Sequence, residues 1–214
     1  MGYLLDLVKS KVKDQDQKLD DGEDFIPAVE AALQRYSRHN PRTVVEDLDG
    51  ADSHDLDPPA GWVEDFSALV SVEWPVGEIP MVWLDPAGYR LYQSPDGWKL
   101  RLFDETPATG DSVRVTYTAP RLESQIPQND FDAVACLAAA DCCERLANLY
   151  TQSSDPTIGA DVVNYRSKGS EYASRAKRLR ELYAAHIGVD EKGGPAASMS
   201  VAAPPRSGRT RLTH

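Results

Sequence analysis

Residues 129–150 read NDFDAVACLAAADCCERLANLY, and the spacing of Phe131, Ala135, Ala138, Cys142, Leu146 and Leu149 predicts one long helix with an apolar stripe. Asn129 stands where an N-cap is expected, and Asp130 and Asp132 complement the positive end of the helix dipole. Downstream, Tyr172, Ala176, Leu179, Tyr183 and Ile187 mark a last helix that Gly188 ends, and the alanines of the first would let the two pack closely. Upstream, Leu4, Leu7, Val8 and Val12 mark a short helix too weak to stand alone. A polar link from Asp14 to Asp24 follows. Phe25, Val29, Ala32, Leu33 and Tyr36 then mark another helix, with Pro27 in its first turn and Asn40-Pro41 stopping it.

Between these helical stretches the period changes. From Arg42 to Pro120 apolar and polar residues alternate, and Gly and Pro recur every ten residues or so, as in short antiparallel strands. Strands are expected around Val70 to Trp74, Met81 to Leu84, Tyr89 to Gln93, Trp98 to Phe103 and Val113 to Thr118, with Thr43 to Leu48 as an edge strand. The turns Asp85-Pro86-Ala87-Gly88 and Ser94-Pro95-Asp96-Gly97 separate three of them. The fold class is therefore α+β: N-terminal helices (1–41), an inserted small antiparallel β-domain (42–120), a C-terminal helical pair completing the bundle (121–187) and an extended C-terminal arm (188–214).

The 214 residues carry 23 bases against 34 acids, a net charge of -11, which argues against a general nucleic-acid binder or a partner for anionic lipid. The imbalance is uneven: residues 1–130 hold 25 acids and 12 bases, whereas residues 163–214 hold 4 acids and 10 bases. No run reaches the roughly 18 apolar residues of a membrane span. The N-terminus shows no basic leader or small-residue cleavage site, so synthesis in a cytoplasm is expected. Cys136, Cys142 and Cys143 crowd one helix and are read as buried thiols, with zinc binding as the alternative.

A catalytic reading finds no Gly-rich phosphate loop, nucleophile elbow, HExxH or paired CxxC, and the protein is expected not to be an enzyme and to need no cofactor. The acidic run Asp47, Asp49, Asp52, Asp55 and Asp57, with His54 among them, is read as a solvated loop. As a calcium loop it lacks the required glycine, and as a hydrolase site Asp47 and Asp49 lack a placed partner. All four tryptophans, from Trp62 to Trp98, fall in the β-rich insertion. They are read as core, with a glycan- or protein-binding face as the alternative. Arg175, Lys177, Arg178 and Arg180 read as a solvated or intersubunit salt-bridging face rather than a phosphate grip. In the arm, Arg206, Arg209 and Arg211 suit an acidic groove on a protein partner better than a DNA backbone, since three bases hold nucleic acid weakly.

One segment carries a family resemblance. Ala138-Ala139-Ala140-Asp141 through Leu149-Tyr150, then residues 153–161 (SSDPTIGAD), Tyr165-Arg166-Ser167-Lys168-Gly169-Ser170-Glu171-Tyr172 and Ala176-Lys177-Arg178-Leu179-Arg180-Glu181-Leu182-Tyr183 form a helix, polar loop, helix pattern. It resembles head-to-tail adaptor (connector, head-completion) proteins of tailed bacteriophages, over about 45 residues, and marks no active site. The resemblance implies a structural virion protein of the neck, made in the host cytoplasm. It implies a homo-oligomeric ring, usually of twelve copies, docked on the portal protein and presenting its other face to a stopper or tail-completion protein. DNA would pass through the lumen without specific binding. In that frame Met199, Val201, Pro204, Pro205, Arg206, Arg209, Arg211 and Leu212 of the arm are expected to contact the portal, and Arg175, Arg178 and Tyr183 to lie at the ring interface.

Overall fold

A computed structural model describes residues 2–152 and 162–189. The arm residues Met199, Val201, Pro204, Pro205, Arg206, Arg209, Arg211 and Leu212 lie outside the described residues, as does the 153–161 stretch of the adaptor-like pattern. The chain is α+β. Helices α1 (Gly2–Val12), α2 (Ile26–His39), α3 (Phe131–Gln152) and α4 (Val162–Ile187) form the helical body. Strands β1 (Arg42–Asp49), β2 (Asp55–Leu56), β3 (Leu69–Glu73), β4 (Tyr89–Ser94), β5 (Gly97–Leu102) and β6 (Ser112–Ala119) form the insertion.

The helical core is built around α3, which packs most extensively on α4 and also on α1 and α2. Every residue from Ala133 to Ala140 is buried, so this helix is apolar around most of its circumference rather than along one stripe. Alanine is what permits that burial, because three neighbours can approach its backbone at once. Leu149, expected on the stripe, is exposed, and Tyr150 takes the buried position instead. From α1, Leu4, Val8 and Val12 enter the core as one face, and Val29, Ala32 and Tyr36 do the same from α2.

Two boundaries differ from expectation. Asn129 falls inside a 3₁₀ turn, Gln128–Asp130, so α3 starts at Phe131 without an asparagine cap. The neighbouring Asp130 carboxylate is engaged by other elements, so the chain approaches the helix along a path set by tertiary contacts. Within the expected polar link, residues Asp21–Phe25 form a π-helical turn, and the Asp20 carboxylate accepts hydrogen bonds from Gly22 N (2.7 Å) and Glu23 N (3.1 Å). Leu19 of the same link is buried against the helical core.

The insertion consists of two three-stranded antiparallel sheets, ordered β1-β6-β3 and β2-β5-β4. They share a second core of Leu48, Leu56, Val72, Leu100, Leu102, Val113, Val115, Tyr117 and Ala119, with Trp62 and Trp74 half-buried beside it. In β6 alternate residues Val113, Val115, Tyr117 and Ala119 point inward, the period-2 pattern of a half-buried strand. β1 is an edge strand, pairing from Arg42 opposite Ala119 to Asp49 opposite Ser112. At its end the backbone passes close to the 107–108 loop: a Cβ on Gly50 would lie 2.2 Å from Ala108 O, so only glycine fits without a shift. The expected strand Met81 to Leu84 is absent. Only Trp83 bridges to Glu73, because Pro75, Pro80 and Pro86 punctuate the segment too closely for a ladder to form.

Candidate interaction surfaces

The β3–β4 connection is tied to its sheet at both ends. Trp74 N donates to Val82 O at 3.1 Å and Leu84 N to Val72 O at 2.9 Å, so the residues between them loop outward. Beneath the loop lies Glu73, 1% exposed, which accepts from Gly77 N at 3.3 Å and from Arg114 Nη1 at 3.5 Å. The same guanidinium holds Asp47 through Nε (2.7 Å) and Nη2 (2.9 Å). A buried carboxylate so placed is costly without its cation, which makes Arg114 the anchor of the loop. Above it, Ile79 is 96%, Met81 60% and Trp83 52% exposed, and Val82 is exposed beside them. From Ser71 to Tyr89 the chain holds Glu73, Glu78 and Asp85 and no Lys or Arg. The tip is an apolar knob with an acidic rim, a surface of the kind that marks protein contacts.

A second surface lies at the root of the insertion, where two chain segments join it to the helical body. Arg121 staples both: its N donates to Ser37 Oγ (3.0 Å), its Nε to Asn40 O (2.7 Å), and its Nη1 to Gln125 O (3.0 Å). Leu122, next in sequence, is 66% exposed. Arg38 in the last turn of α2 and Arg42 at the start of β1 are exposed nearby, and between Glu30 and Glu46 the chain carries three arginines and no acid. This root is a collar of exposed Arg38, Arg42 and Leu122, with the half-buried Glu123 next to Leu122.

Behind the collar a polar network joins α2, α4 and the turn before α3. Tyr36 O–H donates to Asp130 Oδ2 at 2.6 Å, Asn40 Nδ2 reaches the Tyr36 oxygen at 2.9 Å, and His186 Nε2 lies 2.8 Å from Asp130 Oδ1. Burial and the Asp130 carboxylate together push the Tyr36 phenol up to about 12. Burial opposes ionisation of Asp130 too, but the hydrogen bonds from Tyr36, His186 and Asn40 outweigh it and hold this carboxyl below its usual range.

The residues expected at the ring interface have separate fates. Tyr183 is 3% exposed in its own chain's core, its hydroxyl 2.7 Å from His39 Nδ1. The stripe that includes Ala176 and Leu179 turns it inward. Arg175 Nη1 donates to Val12 O at 3.1 Å and satisfies an end carbonyl of α1. Arg178 is exposed, while Arg180 bridges to Asp141 at 3.0 Å and to Glu144 on α3.

The acidic run is organised by pairs within the insertion. Asp47 faces Arg114, Asp55 faces Arg101 at 2.6 Å, Asp57 faces Lys99 at 2.6 Å, and Asp52 accepts from Thr109 Oγ1 at 2.6 Å. Hydrogen bonds from Arg114 hold the Asp47 carboxyl below its usual range, and those from Arg101 do the same for Asp55. Among the described residues no three His, Cys, Asp or Glu side chains are grouped as metal ligands. Cys136, Cys142 and Cys143 are buried free thiols, and burial pushes Cys142 up to about 12 and Cys143 to about 11. No described helix is long and apolar enough to cross a membrane.

Sequence reasoning missed both the knob and the collar. The knob had a signal, an apolar run between prolines with acids alone at its margins. The collar had none, because Arg121 and α2 are brought together by the fold.

No family model and no curated protein matches the chain. Among solved structures it is similar to a chain from the neck of a native gene transfer agent particle computed with C12 symmetry, at 16% identity, covering 80% of this chain and 91% of that one, with a TM-score of 0.29. It is also similar to a chain from the virion of a native gene transfer agent particle, at 14% identity, covering 79% and 88%, with a TM-score of 0.30.

Proposed function

We propose that this chain is a structural subunit of the neck of a phage-like particle: a head-to-tail adaptor that forms a ring of about twelve copies, joins the portal to a stopper or tail-completion protein, and lines the DNA channel. The observation that carries this reading is the α3–α4 hairpin, formed by the residues whose pattern resembles the adaptor family, at the centre of a helical body that presents a separate β-rich insertion. Such a subunit works by shape and repetition and needs no catalytic centre. The net charge of -11 per copy suits it, since an acidic ring lets a phosphate backbone slide past without adhering.

In this reading the arm, with Met199, Val201, Pro204, Pro205, Arg206, Arg209, Arg211 and Leu212, contacts the portal, and repetition round the ring multiplies a weak contact into a firm one. Exposed Arg178 belongs to the contact between copies. Electron microscopy of the full chain alone and with portal is the test: rings seated on the portal are expected. Deleting residues 192–214 should leave the far-ultraviolet circular dichroism unchanged and weaken portal attachment by at least about tenfold, as loss of a multivalent tether does. Genome-filled, tailed particles at the normal yield from that deletion would count against the role of the arm, and a monomer in both samples would count against the adaptor.

A further inference from the structure

We infer that the acidic apolar knob of one copy docks on the collar of a second copy, a contact that deepens the ring reading above and rests on it. The knob presents Ile79, Met81 and Trp83 with Glu78 and Asp85; the collar presents Leu122 with Arg38 and Arg42. The two surfaces match in both respects that matter for a protein contact: each offers apolar area, and their charges are opposite in sign. Neither Arg38 nor Arg42 forms an ion pair among the described residues, so both guanidinium groups are free to meet a carboxylate.

Geometry makes the contact intermolecular. Glu73, from which the knob springs, pairs with Arg114, whereas Arg42 of the collar pairs with Ala119, five residues further along β6. At about 3.4 Å per residue the two surfaces are separated by some 17 Å of strand, at opposite ends of one sheet. The knob is also held at its base by Trp74, Leu84 and the Glu73–Arg114 pair. It cannot fold back onto its own collar. Two different patches at opposite ends of the same sheet make a heterologous, head-to-tail contact, which propagates from copy to copy and closes into a ring when the rotation allows.

Sedimentation velocity of the full chain across protein concentration tests this. Met81→Glu with Trp83→Glu, and separately Arg38→Glu with Arg42→Glu, should each move self-association to at least about tenfold higher concentration, the loss expected of a central contact residue. Mixing the two double variants at equal amounts should give a complex that stops at a heterodimer, because each retains one intact half. Placing Glu78→Arg and Asp85→Arg in the chain that carries Arg38→Glu and Arg42→Glu should restore association. Ile79→Ser, at an almost fully exposed position, serves as the knob variant if the glutamates impair folding. Folded knob and collar variants that associate like the natural chain, or a mixture that yields no heterodimer, would overturn the contact. If those variants still form rings on the portal, the knob inference fails and the adaptor reading stands; if the natural chain associates through the knob yet forms no ring with the portal, the adaptor reading fails instead.

Discussion

Arg121 directs its guanidinium at backbone carbonyls of Asn40 and Gln125 and its own N–H at Ser37, so one residue closes the gap between the strand leaving the insertion and the helix entering it. Charged donors on carbonyls are among the stronger hydrogen bonds, and the one to Asn40 spans a sequence separation of 81 residues. Asp130 plays the matching part on the helical side, accepting from Tyr36 and Asn40 with His186 beside it. Asp130→Ala is expected to cost about 1–3 kcal/mol at neutral pH, measured by urea unfolding, because the buried Tyr36 hydroxyl and the half-buried Asn40 amide lose their acceptor. The folded carboxyl is held below its ordinary value, so its stabilisation is fully present above about pH 4 and is lost as pH falls through the folded value. The gap between the natural chain and Asp130→Ala should therefore narrow below about pH 4; a gap independent of pH would show that the network is not what the carboxylate supplies.

At the scale of elements, α3 shows how composition decides packing. Eight successive buried residues from Ala133 to Ala140, five of them alanine, leave no polar face over two turns. Ala138 is 0% exposed, and Ala138→Leu should destabilise the chain by about 1–3 kcal/mol through overpacking, read as a lower urea midpoint with unchanged slope. A variant as stable as the natural chain would mean that the helices can part without cost. The existence of α3 was legible in its sequence, because length and apolar spacing suffice for that. Its burial on three sides was not, since alanine reads equally well as surface or interior. Strands form at Leu69–Glu73, Tyr89–Ser94, Gly97–Leu102 and Ser112–Ala119, where they are expected, but in Leu69–Glu73 a register shift between Leu69 and Ser71 leaves Val70 54% exposed and Glu73 buried, against the expected alternation. Residues 81–84 share that apolar content and form no strand, because a run between closely spaced prolines cannot supply a ladder with donors at the right positions.

Among the described residues there are two cores, one of helices and one of strands, joined at a root that Arg121 and the Asp130 network hold. The acidic excess lies mostly in the insertion, with 15 acids against 5 bases in residues 42–120, and several bases there and on the helical body, Arg114, Arg101 and Arg180 among them, are engaged with carboxylates. Full-length protein is expected to leave duplex DNA unshifted in a gel at about 0.15 M salt, where screening already limits reach to about 8 Å. Retardation at that ionic strength would refute the picture of a channel that DNA passes without sticking.

By itself the sequence determined the order of helix and strand, the two periods, the buried thiols and the acidic balance, all of which are set by near neighbours along the chain or by counting. Only the tertiary structure decided that Arg175 meets the end of α1, that Asp130 serves three partners, and that the 79–83 knob and the Arg38–Arg42 collar sit at opposite ends of one sheet. Those outcomes depend on which residues distant in sequence arrive at the same place, and side-chain periodicity, being local, carries no record of that meeting.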